Sequence, residues 1–327
     1  MIYSKAINET LRHYLETDER VVVLGEDIID PYGGAFKVTK GLSTDFPDRV
    51  RTMPVSEAAI AGISAGLALE GFRPISEVMF GDFAALCFDQ IVNHMAKYEA
   101  MYNGKATCPV VLRMPSGGGR GYGPTHSQSL EKYFVGVPHL NVVAASLHHD
   151  PKELFAYFFS QDKPTIFVEH KLLYPLKTRY ESSDNIIKKN GLTVSVSPVP
   201  REDCSVTVVS YGYMAHLAEQ VIQKLAIEEE IFVELVIAAK LSPIEWPPIE
   251  ESVASTGALL TVEEGTAGWA WGTEVATHIQ EKQFGQLRQA VKVLTSEADV
   301  IPAAKSLEDQ MLMNPKKIEK AIRTLSS

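Results

Sequence analysis

The sequence predicts an α/β protein built from two domains, each a parallel sheet covered by helices. Three observations predict it. The 327 residues exceed what one hydrophobic core usually serves. Short β-branched runs alternate with longer helical patterns, the rhythm of parallel strands joined by crossover helices. A polar, proline-marked stretch separates two such series.

The elements follow in order. Arg20-Val21-Val22-Val23-Leu24 reads as a buried strand, and Ala58 to Leu69 as a helix of small residues opened by Ser56, a good N-cap. Val110 to Arg113, Leu140 to Val143 and Thr165 to Val168 read as further strands, with helices over Phe83 to Ala96 and Pro151 to Ser160. These make a first domain over residues 1–185. Residues 186–204 hold the Lys188-Lys189-Asn190-Gly191 turn, Pro198 and Pro200, and read as a linker or edge hairpin. In the second, smaller domain, 205–327, strands at Ser205 to Ser210, Ile231 to Leu235 and Ala258 to Val262 and a helix from Met214 to Leu225 repeat the rhythm.

Composition excludes several classes. No apolar run approaches the roughly 20 residues of a membrane helix, and the start, Met1-Ile2-Tyr3-Ser4-Lys5, shows no secretory or Arg-rich targeting pattern, so a cytoplasmic location is expected. The net charge of −10, without clustered Lys and Arg, argues against nucleic acid. Cys87, Cys108 and Cys204 are far apart and form no Cys-x-x-Cys pair, which fits buried thiols better than disulfides or a thiolate metal site.

Several motifs bear on chemistry. His126 lies just past the glycine-rich run Gly117-Gly118-Gly119-Arg120-Gly121-Tyr122-Gly123; a histidine there can exchange protons at neutral pH while the loop crowds a ligand. The glycines lack dinucleotide or P-loop spacing. Glu57 falls in the first turn of the small-residue helix, flanked by Val55 and Ala58 to Ile60, which suggests that it is buried. Gly62-Ile63-Ser64-Ala65-Gly66 has the Gly-x-Ser-x-Gly form of a hydrolase elbow, but it lies inside a helix rather than at a strand-to-helix turn, so close helix packing is the better account. Glu77 to Phe83 places two carboxylates and two aromatics where a strand meets a helix, the end at which open α/β sheets bind ligands.

These residues in this order resemble one family. Leu24-Gly25-Glu26-Asp27, Gly33 to Leu42, Pro54-Val55-Ser56-Glu57, Arg73 to Glu77, Phe83 with Asp89-Gln90, His126-Ser127-Gln128-Ser129, Phe167 to Lys171, Leu241-Ser242-Pro243, Val262 to Gly265 and Leu307-Glu308 are similar to the β subunit of the thiamine-diphosphate-dependent 2-oxo acid dehydrogenases, a transketolase-like family. The resemblance implies a pyrimidine-binding domain followed by a transketolase C-terminal domain. It also implies an α2β2 heterotetramer with thiamine diphosphate shared between unlike subunits. Glu57 would hydrogen-bond the cofactor's aminopyrimidine ring, Phe83 would pack on that ring, Glu26 would help bind it, and His126 would serve proton transfer or acyl handover. The Gly-Asp-Gly and Asn motif for diphosphate and Mg2+ is missing, so the metal is expected on the α subunit and none in this chain.

The implied activity is decarboxylation of a small-molecule 2-oxo acid and transfer of the acyl unit to a lipoyl group on an acyltransferase partner. The alternative is a two-component carboligase using a carbonyl acceptor. It draws on one departure: the family commonly has Asp-Leu-Arg before Leu-Ser-Pro, where this chain has Ala238-Ala239-Lys240, expected as an altered docking surface.

Overall fold

The computed structural model describes residues 1–180 and 185–326. The strands are β1 (Val21–Gly25), β2 (Val50–Thr52), β3 (Arg73–Glu77), β4 (Val111–Ser116), β5 (Asn141–Ala144), β6 (Thr165–His170), β7 (Ile186–Asn190), β8 (Thr193–Ser197), β9 (Val206–Ser210), β10 (Val233–Ile237), β11 (Lys240–Ser242), β12 (Leu259–Thr266) and β13 (Lys292–Ser296). They form two sheets, ordered β11-β5-β6-β4-β3-β1-β2 and β13-β12-β9-β10-β8-β7. In the first sheet β1 to β6 are parallel, and β11 joins antiparallel to β5. In the second, β13, β12, β9 and β10 are parallel, with the β7–β8 hairpin antiparallel at the edge. The expected architecture of two parallel-sheet α/β units is what forms.

The strands are apolar because both faces are covered. On one face of the first sheet, the helix Tyr3–Thr17 buries Tyr3, Ile7, Leu11 and Leu15, a four-residue spacing that makes one stripe. They join Phe155, Phe158 and Phe167 in a core. The opposite face shares a core with second-domain residues Val209, Tyr211, Val236, Leu241 and Trp271. A third core packs the helices Gly212–Glu229 and Pro315–Ser326 on the second sheet.

The stretch 186–204, read as a linker or edge hairpin, contains the β7–β8 edge hairpin of the second sheet. Two other sequence readings change. The single helix expected over Phe83 to Ala96 is a 3₁₀ segment, Gly81–Cys87, followed by a π-helical segment, Gln90–Met95. Gly81 packs on Ser116 and Met114 so closely that a Cβ there would overlap them, so the segment starts pressed against β4. Of the supposed altered surface Ala238-Ala239-Lys240, the two alanines are buried, at 2% and 0% exposure, where the Ala239 carbonyl accepts from Ala144 N–H as the chain crosses back to the first sheet, and Lys240 stays partly exposed. Among the described residues no helix is long and apolar enough to cross a membrane.

Candidate active site

Parallel strands bring their carboxyl ends to one rim. Pairing of Gly25 with Glu77 and of Ser116 with His170 sets Glu26, Glu77, the glycine loop, His170 and Lys171 at that rim. There Arg113 is fully buried, forks onto both Glu169 oxygens at 2.7 Å, and also bonds Glu77. Burial opposes its charge, but Glu169 and Glu77 hold the guanidinium well above its ordinary pKa. Tyr174 completes the group by donating to Glu169 at 2.8 Å.

Glu57 opens the helix Glu57–Leu69 and is 5% exposed. Ser56 occupies the N-cap, yet its hydroxyl caps nothing. No described residue donates a hydrogen bond to the Glu57 carboxylate, so its acceptors face outward from the chain's own network. Glu26 is 4% exposed and lies in the field of Glu57. Burial first, then the charges of Glu57, Asp27 and Glu77, raise its pKa, and its Oε1 has no partner. Two buried acidic side chains side by side, one with an oxygen lacking any partner, suit a ligand that brings polar hydrogens to them.

Phe83 lies on the 3₁₀ segment Gly81–Cys87, which spans from the Glu57 region to His126. At one end Phe83 meets the His126 ring edge-on, centroids 5.1 Å apart. At the other, burial and then the charge of Glu57 push the Cys87 thiol up to about 12. Cys108 and Cys204 are likewise buried and pushed up to about 12, which makes all three poor nucleophiles. Phe80 also packs edge-on against His126, at 4.8 Å.

His126 is held by its backbone. Lys171, with no exposed surface, donates from Nζ to the His126 carbonyl at 2.6 Å and lies 5.4 Å from the Phe80 centroid. Burial lowers the Lys171 ammonium to about 8. Two residues on, Gln128 donates its N–H and its side-chain amide to Asp82 Oδ1 at 3.0 and 2.9 Å, next to Phe83. Asp82 and Gln128 also line a cavity of about 360 Å³ with Phe88, Leu130, Tyr133 and Phe134.

The glycine run is strapped rather than free. Gly118 N–H donates to Glu264 at 2.6 Å, and Gly119 and Gly121 N–H donate to Glu308 at 2.9 and 3.1 Å, both acceptors coming from the second domain. Glu264 is itself set by His170: Leu172 N–H donates to His170 Nδ1, leaving Nε2–H to donate to Glu264 at 2.9 Å. Burial pushes the Glu264 carboxyl upward, but His170, Gly118 and Ser129 hold it below the ordinary range. Those amides are therefore taken by carboxylates, and the loop's contribution is to aim Arg120, Tyr122 and His126. Gly-x-Ser-x-Gly is settled too: Ser64 is fully buried, bonding Ile60 O within the helix and the Ser76 hydroxyl on β3.

The structure thus joins Phe83 to His126 and Glu26 to Glu57, with the 81–87 segment between the pairs. Lys171, Glu264 and Glu308 were given no role by sequence reasoning; the available signal was a charge at the end of each apolar run, as in Phe167 to Lys171 and Val262 to Glu264.

Against known proteins, the transketolase pyrimidine-binding domain model matches residues 1–177 and the transketolase C-terminal domain model residues 196–318. The chain belongs to the transketolase-like family. It is 35% identical over 97% of its length, and 95% of the relative's, to the acetoin:2,6-dichlorophenolindophenol oxidoreductase subunit beta of Cupriavidus necator. It is 35% identical over its whole length, and 98% of the relative's, to the 2-oxoisovalerate dehydrogenase subunit beta of Bacillus subtilis. It is 34% identical over 92% of its length, and 88% of the relative's, to the pyruvate dehydrogenase E1 component subunit beta of Leifsonia xyli. A solved chain titled "Split gene transketolase, inactive beta4 tetramer" superposes with a TM-score of 0.78 at 20% identity, covering 100% of this chain and 99% of that one, and shares its fold. Within the family this chain falls among the β subunits of thiamine-diphosphate-dependent 2-oxo acid dehydrogenases.

Proposed function

We propose that this chain is one half of a 2-oxo acid decarboxylating dehydrogenase, active only with an α subunit in an α2β2 assembly. The observation that carries the reading is the buried Glu57–Glu26 pair: one carboxylate without an intrachain hydrogen bond, the other with an orphaned oxygen, at the rim where Phe83 presents a half-buried ring. That set fits an aminopyrimidine, which needs a carboxylate at a ring nitrogen, a second polar contact and an aromatic face. Thiamine diphosphate would supply the nucleophilic carbon and the electron sink for decarboxylation. Glu57 would hold a proton at the pyrimidine nitrogen, Glu26 would accept from the ring's amino side, and Phe83 would exclude water from one face. His126, kept in place by Lys171 and the two phenylalanines, would move a proton at the substrate carbonyl or during acyl handover to a lipoyl group.

One feature supports the missing partner. The outer side of the Glu57 helix is open: Gly62, Ile63, Gly66 and Leu69 are exposed, and a Cβ at Gly66 would meet nothing within 4 Å. Such a small-residue face lets another helix approach closely. Burial of Ala238 and Ala239 leaves only Lys240 of the surface that favoured a carboligase, which weakens that alternative beside lipoyl transfer.

The test is calorimetric titration of thiamine diphosphate with Mg2+ into the pair formed with the α subunit, into each chain alone, and into the pair carrying Glu57→Gln. Binding by the pair only is expected. Glu57→Gln should retain assembly while lowering kcat on a 2-oxo acid by about 10²- to 10⁴-fold. Tight binding by this chain alone, or full activity of the variant, would refute the assignment.

A further inference from the structure

Phe36, Phe80 and Tyr122 form an aromatic wall beside His126, and two cations lie on it. Lys171 is accounted for by its bond to the His126 carbonyl. Arg120 is not. Its guanidinium lies 5.7 Å from the Phe36 centroid and 5.5 Å from that of Tyr122, it is exposed, and its side chain makes no ion pair or hydrogen bond among the described residues.

The placement is rigid. Amides on both sides of Arg120, at Gly119 and Gly121, are gripped by the buried carboxylate of Glu308, so the backbone cannot swing the side chain away. With both rings within cation–π reach of Cζ and no acceptor on its N–H groups among the described residues, the guanidinium keeps its fork of donors for a carboxylate, which it can bind in two parallel bonds. The nearby acids are already engaged, Glu264 with His170 and Gly118, and Glu308 with the loop amides. Lys171 stands behind the same wall, 6.0 Å from the Tyr122 centroid, and places a second cation against it.

We propose that Arg120 is the carboxylate-recognising residue of this site, binding the acid group of the substrate and thereby selecting 2-oxo acids over neutral acyloins and diketones. This deepens the function proposed above and rests on it. It also separates this chain's substrate class from that in the printed name of one relative, acetoin, which bears no carboxylate.

The test uses the complex with the α subunit, wild type and with Arg120→Gln or Arg120→Lys. Rates are measured with pyruvate and 3-methyl-2-oxobutanoate, and with the uncharged butane-2,3-dione, using dichlorophenolindophenol as electron acceptor. Calorimetric binding of oxamate, an unreactive 2-oxo acid isostere, to cofactor-free complex gives a readout apart from activity. Arg120→Gln should lower kcat/KM for the 2-oxo acids by about 10- to 100-fold, mainly through KM, and abolish oxamate binding. Arg120→Lys should recover part of both, and thiamine diphosphate affinity and the dione rate should stay within about twofold. An unchanged KM, equal losses on acid and dione, or a loss confined to subunit assembly would overturn the proposal, the last by making Arg120 a partner contact. If the wild-type complex turns over no 2-oxo acid, the proposed function fails, and oxamate binding still decides Arg120: binding lost in Arg120→Gln supports it, and binding equal in both or absent from wild type sinks it.

Discussion

A lysine with no exposed surface and, among the described residues, no carboxylate within ion-pair distance, as at Lys171, lowers stability unless a neighbour uses it. Here the neighbour is the His126 carbonyl, and holding that loop is the benefit. Opposite effects on stability and activity follow for Lys171→Met, which fills the space without charge. Its melting temperature at pH 7 should rise by a few degrees, while turnover of the reconstituted complex falls by about tenfold as His126 loses its tether. The pH dependence has a definite sign. The folded chain releases the Lys171 proton near 8, the unfolded chain near 10.5, so the charge-burial penalty is complete below 8 and disappears as pH rises to 10.5. Thermal melts from pH 7 to 10.5 should show wild type gaining on the variant; parallel curves would mean that the ammonium is not buried as described. Glu57, Phe83 and His126 were legible in the sequence because each lies in a short ordered motif. Lys171 was not, because its partner is 45 residues away and only folding brings them together.

At the scale of elements, the glycine loop between β4 and β5 depends on Gly117. Its φ is +92°, outside what side chains readily adopt, and a Cβ there would overlap the His170 ring. Gly117→Ala should therefore displace His170 from Glu264 and release the strap. We expect a loss of about 1–3 kcal/mol by denaturant titration and faster hydrogen exchange at the Gly118, Gly119 and Gly121 amides; unchanged exchange would show that the strap does not depend on His170. Strand and helix order was largely readable because buried parallel strands are short β-branched runs, as in Val21 to Val23. The 3₁₀ and π segments after Phe80 were not. Their apolar spacing is helical, and the close approach of Gly81 to β4 at the start of the segment is a tertiary contact without a local signature.

Across the whole molecule, the two domains meet through a buried acidic group. Tyr211 donates to Glu131 at 2.8 Å and lies 3.4 Å from Glu263, which also takes N–H bonds from Trp271 and Gly272. Burial raises Glu263 to about 7 and raises Glu131, one of whose oxygens has no partner. Carboxyls raised on folding stabilise fully below their ordinary value near 4.5, and that stability is lost as pH climbs through about 7. Glu131→Gln, permanently neutral, should exceed wild type in melting temperature by a margin that grows as pH rises above the ordinary carboxyl value near 4.5. A constant offset would assign the effect to packing instead.

The strand β11 lies on the far side of the sequence boundary yet completes the edge of the first sheet. Without it, β5 would present unpaired N–H and C=O groups to any passing chain, an open template for association. The N-terminal part is thus not a portable cassette. Synthesis must reach residue 242 before the first sheet can close, so the two sheets mature together and any recombination that exchanged one alone would leave a sticky edge behind.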